Sequence, residues 1–225
     1  MVDVVGTHEL YAYERMAAVQ ISSGHLATGD VDLLYDARAR LKLLGSDVAT
    51  VGLAGLLRHV DHSFVTTGAG SFRAVNRDGF MVDLIQPLPP DRMAQAPRSR
   101  IGTAPDDLVA VEIQGPAWLV NSPKIETIVI DARGYPLRLV TPDPRAFALH
   151  KAWLADRSDR DPLKRRRDFA QARVVAELVA TRLPHLRFDD PALGALPKAL
   201  RARAAELGPA PRGIGSGEEE RTPDW

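Results

Sequence analysis

Asp30 and Asp32 stand one residue apart in Thr-Gly-Asp-Val-Asp-Leu-Leu, the stretch from Thr28 to Leu34, whose other residues suit a buried strand. Strand side chains alternate faces, so the two acids share one face about 6 to 7 Å apart, while Val31 and Leu33 take the other. Carboxylates so placed repel each other and resist desolvation unless a proton or a cation intervenes, which makes a divalent metal their natural partner. A third acid repeats the pattern. In Phe80 to Ile85, Phe80, Val82 and Leu84 alternate with Met81, Asp83 and Ile85, so Asp83 interrupts an apolar face as Asp30 and Asp32 do. Upstream, Gly6-Thr7 falls between the apolar stretch Val2 to Val5 and His8 to Val19, where Leu10, Tyr13, Ala17 and Ala18 recur near helical spacing. A strand–turn–helix of this kind leaves backbone N–H groups at the positive end of a helix dipole, where phosphate binds well. A plain glycine turn with Thr7 as N-cap explains the same residues.

The elements that must carry these residues follow from pattern and punctuation. Asp36 to Leu44 and Gly52 to Val60 have helical composition and are expected to cover one face of a sheet. Phe72 to Asn76 and Phe80 to Ile85, joined by Arg77-Asp78-Gly79, read as a hairpin. Gln86 to Arg100 holds four prolines and reads as a loop or flap. Leu108 to Gln114, Ala117 to Asn121 and Ile125 to Asp131 suggest a meander, with a last strand at Leu137 to Val140 after Arg133-Gly-Tyr-Pro136. Asp143-Pro144, Asp161-Pro162 and Asp190-Pro191 each set an acid before a proline suited to a first helical turn, which predicts helices over 144–157, 162–182 and 190–207. The segment 208–225, with its Glu218 to Glu220 run, is expected to be disordered. Its Gly-Ile-Gly-Ser-Gly follows no strand and precedes no helix, so it is rejected as a phosphate loop.

Composition narrows the function. The 225 residues carry 29 Lys plus Arg against 29 Asp plus Glu, so overall charge gives no long-range pull toward nucleic acid or an anionic membrane. Without cysteine there are no disulfides, thiolate nucleophiles or zinc–thiolate sites. No apolar run is long enough to span a bilayer and no signal peptide is evident, so a cytoplasmic protein is expected.

The order Gly6-Thr7, Asp30-x-Asp32 and Asp83 resembles the polymerase β-like nucleotidyltransferase superfamily. Closer still, the segments 5–14, 27–34, 60–64, 74–87 and 148–154 through 160–168 resemble a bacterial family of stand-alone nucleotidyltransferases, over roughly residues 4 to 182. The resemblance implies an α+β fold, a mixed sheet with helices packed on it. Its catalytic domain would span 1–142 and a helical region 143–207. It also implies a nucleoside triphosphate, ATP by default, and Mg²⁺ as two ions, with Mn²⁺ as a substitute. Asp30, Asp32 and Asp83 would be both metal ligands and catalytic residues, with Gly6, Thr7, Lys151 and Lys164 on the phosphates. The product would be a nucleoside monophosphate, AMP by default, on a hydroxyl of RNA, a protein or a small molecule.

Each assignment has a competitor. Lys164 and Asp168 lie four apart and suit a helical ion pair, and Arg165 to Arg167 suit a solvated face as well as acceptor RNA. His8, His62 and His150 show no zinc spacing and read as structural. Tyr11, Tyr13, Trp118 and Trp153 read as core or cleft wall. Relatives often carry Arg where Gly29 stands, and an upstream segment where this chain starts, so a clipped first strand and weaker phosphate affinity are expected. Those departures motivate an alternative function, a catalytically weak nucleotide-binding regulator or toxin–antitoxin partner with the same fold. A metal-dependent phosphohydrolase fits poorly, for want of histidine ligands among the acids.

Overall fold

The computed structural model of the chain describes residues 2–36, 46–89 and 99–207. The expected helix over Asp36 to Leu44, most of the proline-rich flap and the 208–225 tail lie outside the described residues. The fold is a mixed sheet with helices packed on it, as the α+β expectation requires.

Strand β1 (Val2–Val5) leads through a 3₁₀ turn, Gly6–His8, into helix α1 (Glu9–Ala17). Helix α2 (Ser23–Leu26) precedes β2 (Asp30–Tyr35), and α3 (Ser46–Val60) follows it, broken at Gly52, whose φ of 71° is left-handed. Next come β3 (Val65–Thr66), β4 (Arg73–Val75), β5 (Met81–Pro87) and β6 (Val111–Ile113). Strand β2 runs antiparallel to β1 and parallel to β5. Along the far edge of β5, β4 pairs antiparallel with its first half and β6 parallel with its second. The β4–β5 hairpin is the one that Asp78-Gly79 predicts, with Gly79 at φ 80°.

The alternation read from the sequence sorts into two cores. Val31, Leu33, Val82 and Leu84 pack with Leu53, Phe64 and Leu108 on one face of the sheet. Leu34 and Ile85 face the other way, against Val5 and Leu119. Asp30, Asp32 and Asp83 share this second face, toward the N-terminal ends of β2 and β5. All four β1 residues, from Val2 opposite Tyr35 to Val5 opposite Asp32, are in register with β2.

Two expectations fail beyond β6. Ala117 to Asn121 is no strand but part of helix α4 (Pro116–Asn121), because Gly115 at φ 107° turns the chain and Pro116 starts the helix. The meander therefore reduces to one hairpin, β7 (Lys124–Ile130) and β8 (Pro136–Pro142), separate from the main sheet. Helices α5 (Pro144–Asp156) and α6 (Pro162–Arg182) begin where the Asp-Pro pairs predict, with Asp143 and Asp161 accepting hydrogen bonds from the first-turn amides. Asp190 caps likewise, but Gly194 and Pro197 divide the third segment into a 3₁₀ turn, the short α7 (Lys198–Ala202) and a second 3₁₀ turn. Leu10 and Tyr13 of α1 share one core with Phe147 and Leu149 of α5 and Val175 and Leu178 of α6. That core fixes the Gly6 turn against the helices. Among the described residues no helix is long and apolar enough to cross a membrane.

Candidate functional site

Register alone brings the acids together. Val5, Asp32, Asp83 and Arg73 lie opposite one another on β1, β2, β5 and β4, forming one row across four strands. Paired strands lie about 4.8 Å apart, so Asp32 and Asp83 are side by side, with Asp30 two residues along on the same face. Three carboxylates share this patch with one arginine. Arg73 holds both Asp83 oxygens, Nε to Oδ1 at 2.6 Å and Nη2 to Oδ2 at 2.6 Å. Hydrogen bonding to Asp83 lifts the guanidinium pKa above its ordinary value, and the charges of Asp30 and Asp32 add to that. Thr28 Oγ1 donates to Asp30 Oδ1. Asp32 has its pKa pushed up to about 6 by burial first and then by the charges of Asp30 and Asp83, against the lowering effect of Lys151 and Arg160.

The Gly6 turn approaches this row closely. Gly6 has φ 82°, and a Cβ there would lie 3.0 Å from Asp32 Oδ2, so only glycine admits the approach. The expected free amide at Gly6 is occupied, however. Gly6 N–H donates to Glu9 Oε1 at 2.8 Å, and Tyr13 Oη donates to Glu9 Oε2 at 2.6 Å. Burial raises the Glu9 carboxyl to about 8, against the lowering effect of these hydrogen bonds and of Lys151 and Lys124. Thr7 is not an N-cap either: its side chain makes no capping bond, and its Oγ1 accepts from Gln171 Nε2 at 3.2 Å.

Helices α5 and α6 supply the opposing wall. Lys151 is buried on α5, and its Nζ donates to Asp168 Oδ1 of α6 at 2.8 Å. Arg160, between the helices, donates from Nε to Asp168 Oδ2 at 2.8 Å. Burial alone would raise the Asp168 carboxyl, but the two cations hold it below its ordinary value. Asp168 thus takes Lys151 and Arg160 and leaves Lys164 aside, so the expected Lys164–Asp168 pair does not form. A cavity of about 140 Å³ lies between sheet and helices, lined by Gly6, Glu9 and Asp32 on one side and His150, Lys151 and Arg160 on the other. Lys164 is not in its lining and is exposed on the first turn of α6. His150 is buried beside Trp118 and Trp153, and burial pushes its imidazole down to about 3, so it is neutral there. Among the described residues its Nε2 has no hydrogen-bond partner.

A nucleotidyltransferase family model matches residues 2–197. The chain belongs to this nucleotidyltransferase family. The match takes in the acid row, the Gly6 turn and both cations of the helix wall. Membership supports nucleotidyl transfer as the chemistry and a nucleoside triphosphate as the substrate. No curated protein and no solved structure matches the chain.

Within this nucleotidyltransferase, Asp30, Asp32 and Asp83 share one face, and Lys151 lines the cavity opposite Asp32 and Gly6, the part of that row that reaches it. Sequence reasoning missed Arg73 and Glu9, and passed over Arg160 inside a matched segment. Arg73 was findable, because a hairpin centred on Asp78 sets residue 73 opposite residue 83. Among the described residues, no three acidic or histidine side chains already converge as a metal cage, and both Asp83 oxygens are held by Arg73. The donor set nevertheless fits a hard divalent cation: three carboxylates on one face, one of them driven toward protonation by its neighbours.

Proposed function

We propose that the protein is a Mg²⁺-dependent enzyme that moves a nucleoside monophosphate, AMP by default, from a nucleoside triphosphate to a hydroxyl on RNA, a protein or a small molecule. The observation that carries this reading is the register: Asp32 opposite Asp83, with Asp30 on the same face, in a chain of this family. Asp30, Asp32 and Asp83 would hold the metal, as two ions, with Mn²⁺ able to substitute. When bound, the metal neutralises charge on the α-phosphoryl and pyrophosphate groups and makes the acceptor hydroxyl more acidic. Asp83 is the residue placed to take the acceptor proton once its oxygens are free. Lys151 and Arg160 carry two positive charges against the single charge of Asp168, which leaves the helix wall cationic toward a triphosphate. The Gly6 turn closes the phosphate side, where the glycine permits near approach; Thr7 is buried behind it against Gln171.

Incubation of purified protein with each of the four α-labelled triphosphates, Mg²⁺, total RNA and cell extract should give a labelled product and pyrophosphate. Asp30→Ala and Asp32→Ala should abolish both; unchanged labelling in those variants would sink the site assignment. A second reading, a nucleotide-binding module without turnover, draws on the occupied Gly6 amide and the Arg73 grip on Asp83. Calorimetry separates the two: nucleotide binding with no pyrophosphate release favours the module.

A further inference from the structure

The Arg73–Asp83 contact is a built feature rather than a chance surface pair. The two residues are cross-strand neighbours, so their backbones fix the approach, and the guanidinium meets both carboxylate oxygens in a two-pronged contact. The carboxylate is 8% exposed and the guanidinium 36%, so the acid is fixed while the arginine retains a route to solvent. The guanidinium also lies 5.4 Å from the Phe72 ring centroid, an apolar rest beside the row. It is positive charge brought to a patch that otherwise holds three acids, and it sits on the two oxygens that a metal would need.

We propose that Arg73 is the resident cation of the acid row: guanidinium and divalent metal exclude each other at Asp83, and a metal–nucleotide complex displaces Arg73. This rests on the metal-dependent reading above. A bare metal ion must expel the arginine and leave its charge unpaired, whereas a metal bound to a triphosphate brings a phosphate oxygen to receive it. Arg73 is therefore a positioning residue that makes the site select the metal–nucleotide complex over the free metal.

Manganese titration followed by electron paramagnetic resonance tests this, with and without the non-transferable analogue α,β-methylene ATP. Arg73→Gln should bind Mn²⁺ alone about tenfold more tightly than wild type, and the analogue should improve that affinity less than it does in wild type. Arg73→Lys, which keeps the charge but offers no fork, should fall between. In an Asp83→Asn background, Arg73→Gln should change nothing. Circular dichroism confirms folding, and Arg73→Lys carries the test if Arg73→Gln does not fold. Equal or weaker Mn²⁺ binding by the folded Arg73 variants overturns the inference alone. Absence of Mn²⁺ binding in every protein overturns the metal-dependent reading and this inference with it.

Discussion

Two ionic clusters border the cavity, which Asp32 lines from the sheet and Lys151 and Arg160 line from the helices, and they are built on opposite plans. On the helix side one acid, Asp168, is fully buried between two cations, Lys151 and Arg160, and every charge has a partner. On the sheet side three acids share one partly exposed arginine, and Asp32 is pushed toward protonation. The first arrangement supports the fold, because α5 and α6 meet through it. The second costs stability, which a purely structural role does not explain. A surplus of negative charge on the sheet and of positive charge on the helices is the arrangement that a metal–triphosphate complex would neutralise from both sides.

Removing a paired acid should therefore have unequal consequences in the two clusters. The largest effect is expected from Asp168→Asn, which strands a buried lysine and its neighbouring arginine and should cost about 3–5 kcal/mol in urea unfolding. Asp83→Asn, whose partner Arg73 reaches solvent, should cost about 1 kcal/mol or less. Equal costs would erase the distinction between the clusters.

Glu9, at the edge between them, sharpens the comparison through pH. Its carboxyl rises from 4.5 to about 8 on burial, so between those values the native state keeps a proton that the unfolded chain releases. Stability attributable to Glu9 must then fall as pH rises across that window. Glu9→Gln removes the fall, so the variant should gain steadily on wild type as pH rises between 4.5 and 8. Parallel stability curves would show that Glu9 is charged in the native protein.

Asp32→Asn relieves repulsion in the row and should stabilise the metal-free protein by about 1 kcal/mol at pH 7.5. The smallest effect concerns Gly29. Among the described residues a Cβ at Gly29 meets nothing within 4 Å, so Gly29→Arg should change stability by less than about 0.5 kcal/mol. It should tighten nucleotide binding a few-fold by returning a positive charge to the acid row. Weaker nucleotide binding in that variant would show that the row is not short of positive charge.

The sheet acids were legible in the sequence because alternation is a property of the backbone: an acid at an inward position of β2 or β5 must share a face with its neighbours two residues away. The Asp-Gly turn and the Asp-Pro helix starts were legible for the same local reason. Ala117 to Asn121 misled, since a short apolar run suits strand or helix equally and only Gly115-Pro116 distinguishes them. The third C-terminal helix misled because a sound start at Asp190 says nothing of the breaks at Gly194 and Pro197. The charge states lay beyond local reading. Glu9 looks like an ordinary first-turn acid, and only the packing of α1 onto the rest of the chain buries it and drives its carboxyl pKa up. Lys151 and Lys164 look alike on the sequence, yet helix packing buries the first beside Asp168 and leaves the second in solvent.

The central claim is that Asp30, Asp32 and Asp83 serve chemistry together, and that Asp32 does so at the expense of stability. The most direct measurement is Mg²⁺-dependent transfer from α-labelled ATP by wild type and Asp32→Asn, with the unfolding midpoint of each. The account predicts a loss of transfer of about a thousandfold together with an unchanged or higher midpoint. Transfer within tenfold of wild type, or a midpoint lowered as far as that of Asp168→Asn, would contradict it.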